Sequence, residues 1–195
     1  MPENADIKKL LADISLQNDQ TAYKQLFILL HSRLLQFASS ILRSEEDAKE
    51  VVSDVFIRLW EKRSQYSAID SPLLYLYTCV KNQSLQRIAR QKRQQAISPE
   101  TWQVQLSSIY FDPEKLFLTE EMIRQIRQAI NDLPPRCRLI FKLVKEDGLK
   151  YKEVAELLQL SVKTIEAQMA IAFRRIGRCM HMDIDMLERK ETVKK

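Results

Sequence analysis

The chain has 195 residues, enough for one medium domain or two small ones. It contains only two glycines, too few for the turns and phosphate loops of β-proteins and α/β enzymes, so the composition favours an all-helical protein. The net charge of +5 suggests an anionic partner, and the dispersed Cys79, Cys137 and Cys179 suit a reducing cytoplasm better than a disulfide framework or a zinc site.

Helical periodicity dominates the first 93 residues. Asp19 can cap a first helix, a second apolar run extends from Leu34 to Leu42, and Ser44 can cap a third helix in a capping box with Asp47. The third helix carries apolar residues at helical spacing: Ala48, Val51, Val52, Val55, Phe56, Leu59 and Trp60. After a polar stretch, Ser71-Pro72 predicts the start of a fourth helix that reaches about Arg93.

The segment 94–118 loses this periodicity and is predicted to be a flexible linker. Between Gln94 and Glu121 five acids and one lysine give a local charge of −4. A second helical unit is predicted over 119–180, followed by a fraying tail at 181–195. The longest apolar stretch, Leu26 to Leu30, is too short to cross a bilayer, and the N-terminus does not have the pattern of a signal peptide.

The second unit ends in two helices with the layout of a helix-turn-helix. A short helix from Tyr151 to Leu158 is followed by a turn, and Ser161 can cap a longer helix that reaches about Cys179. The longer helix has one apolar seam, formed by Val162, Ile165, Met169, Ala172 and Ile176. In such motifs the second helix enters the major groove of DNA. A helical hairpin with a solvated polar face remains an alternative interpretation of this segment alone.

Two helices of the first unit have opposite charge. Five cations and no acid lie between Lys81 and Arg93, next to Tyr75 and Tyr77, a pattern that suits single-stranded nucleic acid. The third helix, Ser44 to Lys62, has a net charge of −3, which suits a protein partner better than a phosphate surface. Taken singly, each pattern could also be an ordinary solvated face with a tyrosine core.

Three segments in order resemble one family. Asp47 to Trp60 resembles the polymerase-binding helix of sigma region 2, and Tyr75 to Arg93 resembles the −10-reading and melting helix of the same region. The segments Leu133-Pro-Pro-Arg136, Gly148 to Leu158 and Ser161 to Glu166 resemble sigma region 4, which reads the −35 element. The whole is similar to the extracytoplasmic-function (group IV) sigma factors of the sigma-70 family.

The resemblance implies two small helical domains, region 2 over 1–93 and region 4 over 119–180, joined by the acidic linker. It implies a cytoplasmic RNA polymerase sigma factor rather than an enzyme, without a cofactor or metal and without membrane insertion. The implied partners are core RNA polymerase, through its β′ clamp helices and β flap, promoter DNA and an anti-sigma factor.

The resemblance also assigns three groups of site residues. Those expected to dock on polymerase are Asp47, Glu50, Asp54 and Arg58. Those expected at the −10 element, with a base pocket formed by the 61–71 loop and the start of the fourth helix, are Lys81, Asn82, Gln86, Arg87 and Arg90. Those expected at the −35 duplex are Ser161, Lys163, Thr164, Gln168 and Arg174.

Three positions depart from the family pattern. Tyr75 stands where the family usually has Trp, and Lys150 stands where it usually has Ser or Thr, so a helix cap worth about 1 kcal/mol is expected to be missing. Gln159 stands where Gly is frequent and is expected to adopt a left-handed backbone.

Two other functions compete with this interpretation. One is a helix-turn-helix regulator that binds duplex DNA without polymerase, and the other is a helical protein-interaction module such as an adaptor. The basic helix from Lys81 to Arg93 argues against both, because neither needs a second nucleic-acid surface.

Overall fold

A computed structural model describes residues 4–42, 44–66, 69–94 and 120–179, with side chains described from 5 to 91 and from 124 to 178 within those ranges. The chain divides into two compact units, one with the described residues up to 94 and one with those from 120 onward. In these ranges each unit has four α-helices and neither has a strand, so the all-helical prediction is confirmed. The predicted linker and tail lie outside the described residues, except for residue 94.

The first unit is a bundle around a long central helix. Its helices are α1 (Asn4–Gln17), α2 (Gln20–Ile41), α3 (Glu45–Glu61) and α4 (Pro72–Gln94), with a 3-10 turn at Arg63–Gln65. α2 packs against the other three helices. Large side chains that are almost fully buried make the core: Ile7, Leu11, Ile14, Leu26, Leu30, Leu34, Phe37, Phe56, Leu59, Leu73, Leu76 and Tyr77.

The prediction was wrong about the number of helices in the first 42 residues. The two helices expected between Asp19 and Leu42 are one helix, because the buried positions Leu26, Leu30, Leu34 and Phe37 continue the same stripe without a break. The residues between the two apolar runs include no Gly or Pro that would end a helix. The preceding helix α1 was not predicted, although Ile7, Leu11 and Ile14 have helical spacing and are buried.

Local side-chain caps set where two of these helices begin. Asp19 accepts from the backbone N–H of Thr21 (2.7 Å) and Ala22 (3.2 Å). The Ser44 hydroxyl accepts from the N–H of Asp47 at 3.2 Å, as predicted. The expected reciprocal half of the capping box is not formed by Asp47, because its carboxylate is bonded to side chains of α4 instead.

The second unit packs three helices around the last one. Its helices are α5 (Glu120–Asn131), α6 (Pro135–Lys145), α7 (Tyr151–Leu158) and α8 (Val162–Cys179), and α8 contacts the other three. Its buried apolar side chains include Ile130, Leu133, Ile140, Leu143, Val154, Leu157, Ile165 and Met169. On α7 Leu157 is fully buried, whereas the neighbouring Leu158 is half-buried.

Two residues with positive φ shape the turns on either side of α7. Gly148 has φ +80° just after α6, and the next N–H, of Leu149, donates to the carbonyl of Leu143 at 3.0 Å. Gln159 has φ 55° and ψ 49°, so the predicted left-handed backbone is confirmed there. None of the described helices combines the length and apolar character needed to span a bilayer.

Candidate nucleic-acid and polymerase interfaces

The acidic face of α3 is only partly open to solvent. Glu50, Asp54 and Arg58 are exposed, as the expected docking role requires. Asp47 is different, since its side chain is only 16% exposed. Asp47 therefore lies mainly in the contact between α3 and α4, and its expected role in polymerase docking stays a prediction.

Asp47, Glu50, Arg87 and Gln91 form an ion-pair cluster between α3 and α4. Arg87 Nε donates to Asp47 Oδ1 at 3.0 Å, and Arg87 Nη2 lies 2.6 Å from the same oxygen and bonds Glu50 Oε2 as well. Gln91 Nε2 donates to Asp47 Oδ2 at 2.8 Å. The bond from Gln91, together with the Arg87 guanidinium, lowers the pKa of Asp47, and bonds to Glu50 and Asp47 raise the pKa of Arg87.

The other residues expected at the −10 element lie along α4. Lys81 is half-buried, while Asn82, Gln86 and Arg90 are exposed. Arg87, two-thirds covered, is the member of the group that the structure pairs with carboxylates of α3. The five residues thus share one helix, but the ion-pair cluster already uses the charge of Arg87.

A pocket of about 230 Å³ opens between the end of α3, the turn that follows it and the first half of α4. It lies in the region where the sequence predicted a base pocket. It is lined by Val55, Arg58, Leu59, Lys62, Tyr66, Tyr75, Leu76, Cys79, Asn82, Gln83 and Gln86. Its volume is below the ~300–1,000 Å³ of drug-sized sites, which suits a group the size of one base.

The walls of this pocket combine aromatic, cationic and amide groups. The rings of Tyr66 and Tyr75 lie 5.4 Å apart between centroids, inclined at 52°. Burial, followed by a hydrogen bond with Tyr66, raises the pKa of Tyr75, and burial raises the pKa of the Cys79 thiol, so these groups are neutral at pH 7. The pocket therefore offers aromatic rings, side-chain amides and the cations Arg58 and Lys62.

Sequence reasoning assigned Arg58 to polymerase docking, but its side chain lines the pocket together with Asn82 and Gln86. The predicted pocket included the 61–71 loop, which carries Lys62 and Tyr66, but Cys79 and Gln83 were not identified as site residues. These side chains converge only because α3, its following turn and α4 pack together, and no spacing along the chain indicates that convergence.

A second surface near α3 was not predicted, since the sequence analysis placed Trp60 in the apolar stripe of this helix and gave Ile57 no role. Ile57 is 54% exposed and lines a shallow groove with Gln20, Tyr23, Trp60 and Glu61. The Tyr23 and Trp60 rings are 5.1 Å apart, and the Arg63 guanidinium lies 4.6 Å from the Trp60 ring centroid. Exposed apolar groups that adjoin a charged face are typical of protein–protein contact sites.

In the second unit a side-chain cap fixes the residue at which α8 begins. The Ser161 hydroxyl accepts from the N–H of Thr164 at 3.1 Å and lies 2.8 Å from the Thr164 hydroxyl. Both hydroxyls expected at DNA are thus part of the helix cap. Lys163 and Arg174 are exposed and Gln168 is half-buried, so they lie on the outer side of the same helix.

Two contacts tie α8 to the end of α5 and to the start of α6. Arg175 donates to the carbonyl of Asp132 at 3.1 Å, and the Cys137 thiol donates to the carbonyl of Gln168 at 3.2 Å. At the start of α7 Lys150 provides no side-chain cap, as predicted, but its own N–H donates to the Glu153 carboxylate at 2.8 Å. One half of a capping box therefore replaces the missing hydroxyl cap.

Comparison with known proteins agrees with this arrangement. The model of sigma-70 region 2 matches residues 26–94, and the model of sigma-70 region 4 matches residues 123–176, together more than half of the chain. The ECF RNA polymerase sigma factor SigK of Mycolicibacterium vanbaalenii is 23% identical over 90% of each chain. The ECF RNA polymerase sigma-E factor of Escherichia coli K12 is 25% identical over 78% of this chain and 83% of its own.

Among solved structures, the sigma factor RpoE of Bartonella quintana, in complex with the anti-sigma factor NepR, matches with a TM-score of 0.49 and 19% identity over 83% of this chain and 98% of its own. The family assignment rests on the two region models, which lie in the order region 2 then region 4, and on relatives that match most of the chain. The chain therefore belongs to the sigma-70 family, as a sigma factor of the extracytoplasmic-function group.

Proposed function

We propose that this sigma factor docks on core polymerase through the exposed face of α3, opens and reads the −10 element with α4, and reads the −35 duplex with α8. Sigma factors of this family direct initiation at specific promoters, so the coarse function follows from family membership. The observation that carries the finer proposal is the pocket beside α4, in which aromatic rings and amides meet exposed cations.

The proposed docking surface combines charge and apolar area. Glu50 and Asp54 supply exposed carboxylates, and Ile57 with the adjoining Trp60 groove supplies apolar contact one turn further along α3. Charged groups steer encounter and set register, while buried apolar groups supply most of the free energy of association. We place the β′ clamp helices on this surface and the β flap on the second unit.

The proposed −10 site captures one unstacked base. Unstacking costs a few kcal/mol, which a pocket must offset with stacking and edge contacts. Stacking on an aromatic ring contributes about 1–3 kcal/mol per base, and Tyr66 and Tyr75 provide the rings. Asn82 and Gln86 provide amides for the base edge, while Lys81, Arg58 and Arg90 favour the strand backbone.

The proposed −35 site is the outer side of α8. The N-terminal turn of α8 would approach base edges. The Ser161 and Thr164 hydroxyls already bond within the helix cap, so they would contact a base only through the hydrogen bonds that the cap does not use. Lys163 and Arg174 are exposed and suit phosphates, and Gln168 suits a base edge.

Three further parts of the proposal follow from membership of this group. We propose that the protein works in the cytoplasm with core polymerase, carries out no catalysis of its own, and is regulated by an anti-sigma factor. The acidic segment 94–118 is proposed to run through polymerase channels that normally hold nucleic acid.

Reconstituted transcription tests the proposal. The purified chain is added to core polymerase with a library of promoter fragments, and transcripts are counted. Initiation that requires both the purified chain and core polymerase supports the proposal. Tight binding to duplex DNA without core would support the regulator instead, and neither activity would support an adaptor.

A charge reversal localises the docking surface. Asp54→Lys should weaken binding to core polymerase by about tenfold or more, because a like charge would face the partner. Asp6→Lys, a reversal of an exposed acid on α1 of the same unit, provides the matched control. If both variants bind core polymerase with equal affinity, the outer face of α3 is not the docking surface.

A further inference from the structure

Arg87 joins the two working surfaces of the first unit. Its guanidinium bonds both Asp47 and Glu50 of α3, the helix proposed to dock on polymerase. Its backbone belongs to α4, the helix proposed to hold the opened strand. The same three side chains would therefore be used for two purposes, because Arg87 was expected at DNA and both acids at polymerase.

The cluster is partly exposed rather than deeply buried. The side chains of Asp47, Arg87 and Glu50 are 16%, 33% and 57% exposed. An ion pair at such a surface contributes only about 0.2–1 kcal/mol. A partner with its own cations can therefore displace Arg87 from Glu50 and Asp47 at small cost, while Gln91 continues to hold Asp47.

We infer that the Arg87 ion-pair cluster is an internal lock that couples polymerase docking to strand capture, which rests on the proposed function. In the free chain Arg87 neutralises the acids that polymerase would engage, and the acids hold the cation that the DNA strand would engage. Docking of a cationic polymerase surface on α3 then frees Arg87 toward DNA.

Thermodynamic linkage makes this coupling reciprocal. If binding of polymerase to the acids weakens the bonds of Arg87, then removing Arg87 must strengthen binding of polymerase by the same free energy. A purely structural role predicts the opposite sign, because loss of a group that orients Asp47 and Glu50 would weaken docking. The sign of one affinity change therefore separates the two roles.

The test measures the affinity of the full chain for core polymerase, without DNA. Arg87→Gln should bind core about 1.4- to fivefold more tightly than the wild-type chain, the range given by a partly exposed ion pair. Arg90→Gln removes the same charge from the exposed face of α4, three residues away and outside the cluster. It therefore corrects for the change in electrostatic potential that follows from the loss of any positive charge on this helix. Circular dichroism verifies that each variant is folded.

A double-mutant cycle shows whether the effect passes through the acids. In the Glu50→Gln background the gain in core affinity from Arg87→Gln should be smaller, because Arg87 then neutralises fewer carboxylates. In the Glu61→Gln background, which removes an exposed acid of the same helix outside the cluster, the gain should persist.

Unchanged or weaker core binding by Arg87→Gln overturns the inference, as does an equal gain from Arg90→Gln. If the wild-type chain fails to bind core at all, the proposed function itself fails, and that result is distinct from a sigma factor whose Arg87 variant shows the wrong sign.

Discussion

Asp47 is the residue whose environment differs most from what its position in the sequence indicated. Its spacing from Ser44 predicted a capping role, and its place on an acidic helix predicted a docking role. The structure instead turns its carboxylate toward Arg87 and Gln91, which lie 40 and 44 residues further along the chain. Periodicity and capping rules are local, so they cannot indicate a partner at that distance.

The titration of Asp47 provides a prediction at this scale. Its folded pKa is lowered by the bond from Gln91 and by Arg87, so it should lie below the unfolded value of about 3.9. Its contribution to stability is then fully present above about pH 3.9 and is lost as pH falls through the lower, folded pKa. Carboxyl chemical shifts followed by NMR against pH measure this directly.

The control for this titration is Gln91→Leu, which removes the donor that lowers the pKa most while leaving Arg87 in place. The midpoint of Asp47 should rise toward the ordinary value. A wild-type midpoint at or above about 3.9 would show that the ion-pair cluster does not form in solution.

Gln159 was correctly expected to adopt a left-handed backbone, because it stands where the family frequently has Gly. In this region the Cβ atom lies too close to a backbone carbonyl oxygen, whereas glycine has no Cβ and is not strained. Gln159→Gly should therefore stabilise the second unit by about 0.5–1 kcal/mol. The opening free energy from hydrogen exchange of α8 amides is the measurement.

Glu156→Gly introduces the same residue within α7 and should destabilise the unit by about 1 kcal/mol, because that position has an ordinary helical backbone. If the two glycine variants change the exchange rates in the same direction, the left-handed strain at Gln159 is not significant.

At the scale of helices, prediction succeeded where a cap and an apolar stripe agreed. Ser161 with the seam through Ile165, Met169 and Ala172 placed α8 correctly, and these three side chains are buried. It failed at α2, where a short polar interruption suggested two helices. Since no Gly or Pro interrupts the chain there, the continuous stripe determines one helix.

The orientation of α8 can be tested through salt dependence. Lys163 is exposed on its first turn, and a phosphate contact there releases about one counterion. Lys163→Gln should reduce the slope of log affinity against log salt by about one for polymerase-bound protein on −35 duplex. Lys24→Gln, an exposed lysine on α2, should leave the slope as it is. An unchanged slope for Lys163→Gln would place its side chain away from DNA.

At the scale of the whole molecule, charge and composition indicated two cationic helices and one acidic helix, and these features survive in the structure. The sequence did not indicate which of these charged side chains bond one another and which line the pocket. Arg58 was expected at polymerase but lines the pocket with Asn82 and Gln86, and Arg87 was expected at DNA but bonds acids of α3. Both contacts arise from packing between α3 and α4, which depends on the tertiary fold, and the two expected roles stay predictions.

The division of labour between the two units leads to a prediction that joins protein and promoter changes. If α8 reads only the −35 duplex, then Lys163→Gln should reduce initiation on a promoter with that element and have no effect on one without it. Arg90→Gln, on the exposed face of α4, should reduce initiation on both promoters alike, because its proposed partner is the −10 strand. Transcript yield from the four combinations measures the coupling. Because effects at independent sites add, a loss for Arg90→Gln that disappears together with the −35 element would mean that α4 does not act on the −10 region.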